Sequence, residues 1–410
     1  MPPTAAAALR EHNFRYHSLN SPTISDAQYD SLKAQAVADG HTPATVGAPP
    51  PQDVPTVPHR APMLSLNSTT DPDALRAWHA STLAILDVPA AEFVASPKID
   101  GLAVSILYRR GELAQASTRG DGHTGQDVTA AVRTILSVPL GLDASVAPVP
   151  DLLEVRGEAY FAPDDFDILN DRRREDGLPP FANARNAAAG SVRLADPDEA
   201  AERPLAFLAY GIGLCDGVSC PTYAAQLSLL TALGFPQMMH HVCPDLQRAL
   251  DCWDDLSDRR DGLLFEIDGM VLAANRLDHQ ATLGSGTTAP HYAIAIKFAP
   301  AATATVIRAI DFSVSRTGRI TPIAVFDPIR VAGATLRRAS LYNQANIDWL
   351  DIRIGDAVTI ERSGGCTPVV TAVLRERRTG TEIPARVPDR CPGCGAPVHT
   401  VKGFQVCSNP

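Results

Sequence analysis

Three stretches of this chain share one construction, a short apolar strand that meets a charged residue beside a glycine. They are EFVASPKIDGLAVSILY (residues 92–108), LLEVRGEAYF (152–161) and LLFEIDGMVLAA (263–274). Short apolar runs bounded by such turns read as strands. In the first stretch a strand runs into the Lys-x-Asp-Gly turn, LAVSILY forms a second strand, and RRGE turns the chain into a third. Helical segments such as PDDFDILNDRRRED (163–176) lie between these strands. Antiparallel strands with intervening helices predict an α+β core and exclude a doubly wound parallel sheet.

The 410 residues are too many for one ordinary domain. Residues 4–19 read as a helix, and a second begins at ISDAQYDSLKAQAV, with Ser25 as N-cap and Gln28 completing a capping box. Helical spacing puts Asp26, Tyr29, Asp30 and Lys33 on one face. TPATVGAPPPQDVPTVPHRAP (42–62) is too rich in proline for helix or sheet and reads as a linker. Beyond residue 301 the pattern is of five or six short strands in under 90 residues. That is the rhythm of a small oligonucleotide-binding (OB) type β-barrel.

Charge divides along the same line. Net charge is −10, yet residues 301–410 hold 14 Arg or Lys against 9 Asp or Glu, while residues 1–300 hold 22 against 37. An acidic body with a basic C-terminal part is the asymmetry expected if that part meets phosphates. The start, MPPTAAAALREH, has no basic leader segment and reads as a helix, and no apolar run approaches the roughly 20 residues of a membrane span. These features lead us to expect a cytoplasmic protein with no membrane partner.

Only four of the 36 basic residues are lysines: Lys33, Lys98, Lys297 and Lys402. Lysine is irreplaceable where a cation must give up its proton to act as a nucleophile, because a guanidinium stays protonated at any working pH. Lys98, in the Lys-x-Asp-Gly turn, is the candidate. Of the eight cysteines, Cys215, Cys220, Cys243, Cys252 and Cys366 are scattered. Cys391, Cys394 and Cys407 form C-x2-C-x12-C in a Cys-Pro-x-Cys-Gly setting typical of a zinc knuckle. The fourth ligand is either His399 or a cysteine after Pro410, which reads as a zinc module cut short.

The motifs KIDGLAVSILY, TRGDGHTGQDVT, LEVRGE, FANARNAAAGSVR, EIDG, AIAIKFAP, RTGRITPIA and HRAPMLSL resemble those of bacterial NAD-dependent DNA ligases. The resemblance runs from about residue 8 to the last cysteine. It implies that Lys98, with Asp100 beside it, attacks the α-phosphate of NAD, releases nicitinamide mononucleotide and carries AMP to a 5′-phosphate. The 3′-hydroxyl of a nick in double-stranded DNA then displaces the AMP. The resemblance places Ser65, Leu66, Ser96, Arg119, Glu158 and Lys297 around the nucleotide. Asp121, Arg156, Arg185, Arg193, Asp268 and Gly269 fall in other matched motifs. It also assigns the nicotinamide mononucleotide to Tyr16, His17, Asp26, Tyr29 and Asp30, whose rings and carboxylates suit a nicotinamide and its ribose. Mg²⁺ (or Mn²⁺) is implied for phosphoryl transfer and Zn²⁺ for Cys391, Cys394 and Cys407.

The expected architecture is therefore α+β and multidomain: an N-terminal helical pair, a nucleotidyltransferase (adenylation) domain, an OB-type β-barrel and an incomplete zinc module. The expected boundaries are 1–50, 51–300, 301–388 and 389–410, in a monomer associated with the nucleoid. The chain departs from the family pattern at four places. Ser96 stands where a glutamate is usual and Ala273 where a lysine is. Thr288 and His291 replace basic residues, and Gly365 replaces an aspartate. These departures predict a weakened phosphate pocket. They leave two alternatives to a working ligase, a self-adenylating fragment that cannot seal nicks and a non-catalytic nucleotide- or DNA-binding relic.

Overall fold

The computed structural model describes residues 46–410 except 52, 179, 182, 299–302, 316, 332, 333, 364–366, 402, 403 and 410, together with residues 8, 9, 12, 13, 32, 36, 39 and 40. The N-terminal helical pair falls for the most part outside the described residues. Tyr16, His17, Asp26, Tyr29, Asp30 and Gly365 lie outside them altogether. The chain divides into two compact units, of which one holds residues 40–299 and the other 300–410.

The first unit begins with β1 (Thr56–Pro58), β2 (Asn67–Thr69) and α1 (Pro72–Leu86). It continues through β3 (Phe93–Ile99), β4 (Leu102–Arg109), β5 (Glu112–Thr118), β6 (Thr124–Gln126) and β7 (Leu152–Phe161) to α2 (Pro163–Glu175) and α3 (Ala184–Val192). Then come β8 (Leu205–Asp216), α4 (Tyr223–Ala232), β9 (His241–Cys243), α5 (Leu246–Arg259), β10 (Ile267–Ala274) and β11 (Ala293–Lys297). Two sheets result, ordered β2-β11-β10-β3-β9 and β5-β4-β7-β8. The pairs are antiparallel except β2 with β11. The turn at Asp100 and Gly101 carries the chain from one sheet into the other.

Local chemistry explains the elements. Asp71 caps α1 by accepting from the Asp73 amide, with Pro72 in the first turn. Asp245 caps α5 in the same way, accepting from the Arg248 amide at 2.8 Å. The α5 helix then buries Ala249, Cys252 and Leu256, spaced for one face, against Phe93, Ala95, Met270 and Leu272 of the five-stranded sheet. On the other sheet α3 lays down Ala184, Ala187, Ala188, Ser191 and Val192, all buried and all small. Such a face lets a helix come close to a strand.

The proline-rich stretch 42–62 is not a plain linker, and that expectation is corrected in part. Thr56–Pro58 pairs with Thr124–Gln126 as a two-stranded antiparallel ladder. Prolines fit there because a short edge strand tolerates a missing backbone donor.

The second unit is built on β12 (Thr303–Val314), β13 (Arg319–Val331), β14 (Ala334–Ser340), α6 (Gln344–Leu350), β15 (Arg353–Ile354), β16 (Ala357–Ser363), β17 (Thr367–Val373) and β18 (Ile383–Pro384). Strands β12, β16, β17, β14 and β13 form a sheet whose ends, β12 and β13, also pair, so five strands close into a barrel. Ile307, Phe326, Leu341, Val358, Ile360 and Val370 fill it. Fully buried Asp356 accepts from Arg378 Nε (2.7 Å) and from the Arg353 amide (2.7 Å), which satisfies its charge inside the fold. A last hairpin, β19 (Val398–Val401) and β20 (Phe404–Cys407), extends the sheet through pairing of β20 with β13. The α+β, OB-barrel architecture expected from the sequence is present.

Gly269 is the tightest point of the five-stranded sheet. A Cβ there would lie 2.1 Å from the Ile296 carbonyl oxygen, a distance no side chain tolerates. Gly269→Ala is expected to lower the stability of the 40–299 unit by about 2–4 kcal/mol in urea unfolding. Gly262→Ala, with no atom within 4 Å of the added Cβ, should leave it within about 0.5 kcal/mol.

Candidate active site

Strand register brings two of the four lysines together. Gly269 on β10 faces Lys98 on β3 and Lys297 on β11. Directly opposed residues share a sheet face, so the two lysines flank a gap that glycine leaves open, with backbones about 10 Å apart. The β10–β3 ladder slips between Ile267, which faces Ile99, and Gly269, which faces Lys98. Asp268 is thus the extra residue of a β-bulge, the device by which a strand re-aims one side chain. Its carboxylate accepts from Lys98 Nζ at 2.8 Å (Oδ1) and 2.7 Å (Oδ2). The pair is largely enclosed, with side-chain exposures of 22% and 30%.

The second sheet supplies the opposite wall. Asp100, in the connecting turn, donates its amide to the Glu266 carbonyl (2.9 Å) and accepts from Arg185 Nη1 of α3 (2.9 Å). Gly101 is obligatory beside it, since a Cβ would sit 2.3 Å from the Ala159 carbonyl. Glu158 on β7 faces Ala103 of β4. Burial raises its carboxyl from the ordinary 4.5 to about 7, against the opposing pull of Arg185, Lys98 and Arg119. Arg119 follows β5, and its amide donates to the Ala103 carbonyl (3.3 Å).

An open cleft is lined by Arg119, Arg185, Arg193, Asn186 and Gln126 together with Pro49–Pro51. Arg193 stands at the C-terminal cap of α3, and burial lowers its pKa. Lys98, Asp100, Arg119, Glu158 and Lys297 therefore come from five positions around the junction of the two sheets. Cations outnumber carboxylates there, which suits a polyphosphate.

Ser65 and Leu66 lie on the segment that joins β1 to β2, and the Ser65 amide donates to the Thr288 carbonyl (2.9 Å). Asp121 turns out to build a turn: its Oδ1 accepts from the amides of His123 (2.9 Å) and Thr124 (2.8 Å). Two residues that pattern reading overlooked belong to this region. His59 Nε2 contacts the Arg119 carbonyl at 3.0 Å. Buried Glu154 accepts from Arg156 Nε (3.0 Å) and Ser105 Oγ (3.1 Å). The available signal was the alternation of Glu154, Arg156 and Glu158 along LLEVRGEAYF, which puts opposite charges on one strand face.

Comparison with known proteins identifies the family. The model of the NAD-dependent DNA ligase adenylation domain matches residues 52–301, and that of the NAD-dependent DNA ligase OB-fold domain matches residues 304–382. The chain belongs to the NAD-dependent DNA ligase family. The DNA ligase of Salinibacter ruber is 44% identical over 404 residues, covering 96% of this chain and 59% of that protein. That of Thermomicrobium roseum is 41% identical, covering 98% and 60%. The chain thus spans about 60% of the length of these relatives.

Of the departures expected from the NAD-dependent ligase pattern, Ser96 and Ala273 share one surface. Ser96 faces Val271, while Ala273 faces Val94 and Ala293. By strand alternation these positions share the Lys98 face. Ser96 and Ala273 are both buried, so this floor is small and uncharged, and Lys98 and Lys297 are its cations among the described residues. Thr288 and His291 act through their backbones, accepting from the Ser65 amide and from Trp78 Nε1 (3.2 Å).

In the second unit the ligand atoms of Cys391, Cys394 and Cys407 lie within 4.8 Å of one another. The Gly393 amide, with that of Cys394, hydrogen-bonds Cys391 and lowers its thiol pKa. His399 is exposed on β19 and is not part of this group. Among the described residues, Asp100, Glu158 and Asp268 do not form a comparably tight group. No helix among the described residues is long and apolar enough to cross a membrane.

Glu158 makes stability depend on pH. Its folded pKa is raised, so the folded protein holds a proton that the unfolded chain releases above about 4.5. Stability is expected to fall as pH rises from about 4.5 to about 7 and to level off above. Glu158→Gln should abolish that decline, read as urea midpoints at the two ends of the window.

Proposed function

We propose that this chain carries out the chemistry of an NAD-dependent DNA ligase. Lys98 attacks the α-phosphorus of NAD, a P–N bond forms, and the pyrophosphate P–O bond breaks with its electrons leaving on nicotinamide mononucleotide. Asp268 is the acceptor within hydrogen-bond reach of the lysine proton (2.7 and 2.8 Å), and this contact is the observation that carries the reading. Next, a 5′-phosphate oxygen of nicked duplex DNA attacks the same phosphorus and the P–N bond breaks, returning Lys98 to its amine. The 3′-hydroxyl then attacks the activated 5′-phosphate, gives its proton to solvent and expels AMP.

Arg119, Arg185 and Lys297 offset charge on the pentavalent phosphorus. Asp100 orients Arg185 through their 2.9 Å ion pair. Ser65, Leu66 and Ser96 border the adenylate. Asp268 and Glu158 are hard oxygen donors and would hold Mg²⁺ or Mn²⁺. When bound, such an ion would neutralise phosphoryl charge. A pair of carboxylates without a closed cage suits Mg²⁺, which draws its remaining ligands from water and phosphate.

The division at 1–50, 51–300, 301–388 and 389–410 assigns nicotinamide mononucleotide to the first segment, through Tyr16, His17, Asp26, Tyr29 and Asp30. It assigns adenylation to the second and DNA to the OB barrel. Cys391, Cys394 and Cys407 would hold Zn²⁺ in a structural role. The protein acts as a cytoplasmic, nucleoid-associated monomer in this reading.

Incubation with Mg²⁺ and NAD labelled in its adenylate should place label on Lys98, and Lys98→Ala should lose it. Absence of label on the parent chain would leave only a non-catalytic relic. Label without sealing of a nicked duplex would restrict the chain to the first step, and faster labelling by ATP would overturn the NAD assignment. Metal analysis should find about one zinc per chain. Because Cys407 ends the strand that pairs with β13, Cys391→Ser should release zinc and lower the unfolding temperature of the 300–410 unit. Full stability without zinc would exclude a structural metal.

A further inference from the structure

The segment from His59 to Leu66 runs from the β1–β6 ladder to the five-stranded sheet. On one side β1 pairs with β6, and on the other β2 pairs with β11. The amides of His59 and Met63 donate to the carbonyls of His123 (2.7 Å) and Gly122 (2.8 Å), in the loop that follows Arg119. That loop contains Gly120 and Gly122, both at positive φ (58° and 91°), and is turned by Asp121, while the Arg119 carbonyl accepts from the Gly122 amide (3.0 Å).

Two side chains add to these backbone contacts. A carbonyl only accepts, so His59 must carry its proton on Nε2 to donate to the Arg119 carbonyl at 3.0 Å. Arg156 reaches from β7 and donates through Nη1 to the Pro62 carbonyl (3.0 Å) and through Nη2 to the Ala61 carbonyl (2.9 Å). Its Nε is fixed by Glu154, so the guanidinium fork is aimed before it meets the segment. Gly213 makes the room, since a Cβ there would stand 2.6 Å from Arg156 Nε.

We infer that His59 and Arg156 are positioning residues for nucleotide transfer: His59 sets where Arg119 stands, and Arg156 sets where Ser65 and Leu66 stand. This rests on the reading in the preceding subsection. Neither residue is hydrogen-bonded to Lys98 or Asp268, whose mutual contact is made without them. A displacement of about 1 Å in a group that meets a transferring phosphoryl costs on the order of a hundredfold in rate.

A double-mutant cycle on lysyl-AMP formation tests the first pin. His59→Ala should slow the reaction about ten- to a hundredfold, and the same change in an Arg119→Ala background should slow it less than about twofold. His59→Gln, which keeps an N–H near the Nε2 position, should restore most of the rate, whereas His59→Asn should not. For the second pin, Arg156→Lys keeps a charge for Glu154 but loses the fork. It should raise the KM for NAD about tenfold while the maximal rate stays within about threefold. Equal slowing by His59→Ala in both backgrounds, or a fall in melting temperature with unchanged rates, would overturn the inference. Amide hydrogen exchange reads the pins without catalysis. His59→Ala should speed exchange in residues 119–125, Arg156→Lys in residues 61–66, and unchanged exchange in both would also overturn it. If the parent chain forms no lysyl-AMP while the exchange pattern holds, the functional reading fails and the pins stand.

Discussion

The site depends on the close passage of β10 between β3 and β11. At Gly269 three strands meet so tightly that a Cβ has no space, and the lysines on either side face one another across the gap. The bulge just before it frees Asp268 from the ladder and lets its carboxylate meet Lys98 with both oxygens. An ion pair so enclosed is worth little as a source of stability, because desolvation offsets attraction. Its worth is in geometry, since the amine is held beside a group able to take its proton.

The second sheet answers the first across the Asp100–Gly101 turn. Arg185 is brought in by a helix of alanines that lies close on the sheet, and its ion pair with Asp100 ties that helix to the turn beside Lys98. Glu158, enclosed among Arg185, Lys98 and Arg119, still titrates near 7 because burial outweighs three cations. It therefore sits where modest changes in solvation or in bound charge decide whether it is ionised. The family's NAD chemistry asks for such an arrangement, in which cations face phosphate and carboxylates face a proton or a metal.

Two departures from the family pattern, Ser96 and Ala273, fall on a single surface, the floor they form with their strand neighbours. Small uncharged residues there leave positive charge to Lys98, Lys297 and the arginines of the opposite wall. A site with fewer charges on its floor depends more on how well the remaining ones are placed. That gives the His59–Leu66 segment its importance, because it leads into the five-stranded sheet, receives Arg156 from the second sheet and touches the loop of Arg119.

The sequence by itself determined the pieces. Lys98 stood out because lysine is rare here and sits in Lys-x-Asp-Gly. The barrel was legible from strand rhythm, and the thiol cluster from Cys-x2-Cys spacing. These are local signals, set by residue type and short periods. Pattern reading placed Asp268 beside a glycine in a matched motif but did not pair it with Lys98. Its contact with Lys98 spans 170 positions and exists only because a bulge turns it there. His59 was hidden in a proline-rich stretch that read as a linker, though part of it is a strand. The pairing of that strand with β6 and the contact of His59 with the Arg119 carbonyl join residues 60 to 70 positions apart. Spacing along a chain fixes which residues share a strand or helix face. Which strands lie side by side, and in which register, is decided by packing of the whole unit, and the contacts of Asp268 with Lys98, of His59 with the Arg119 carbonyl and of Arg156 with residues 61 and 62 depend on that packing.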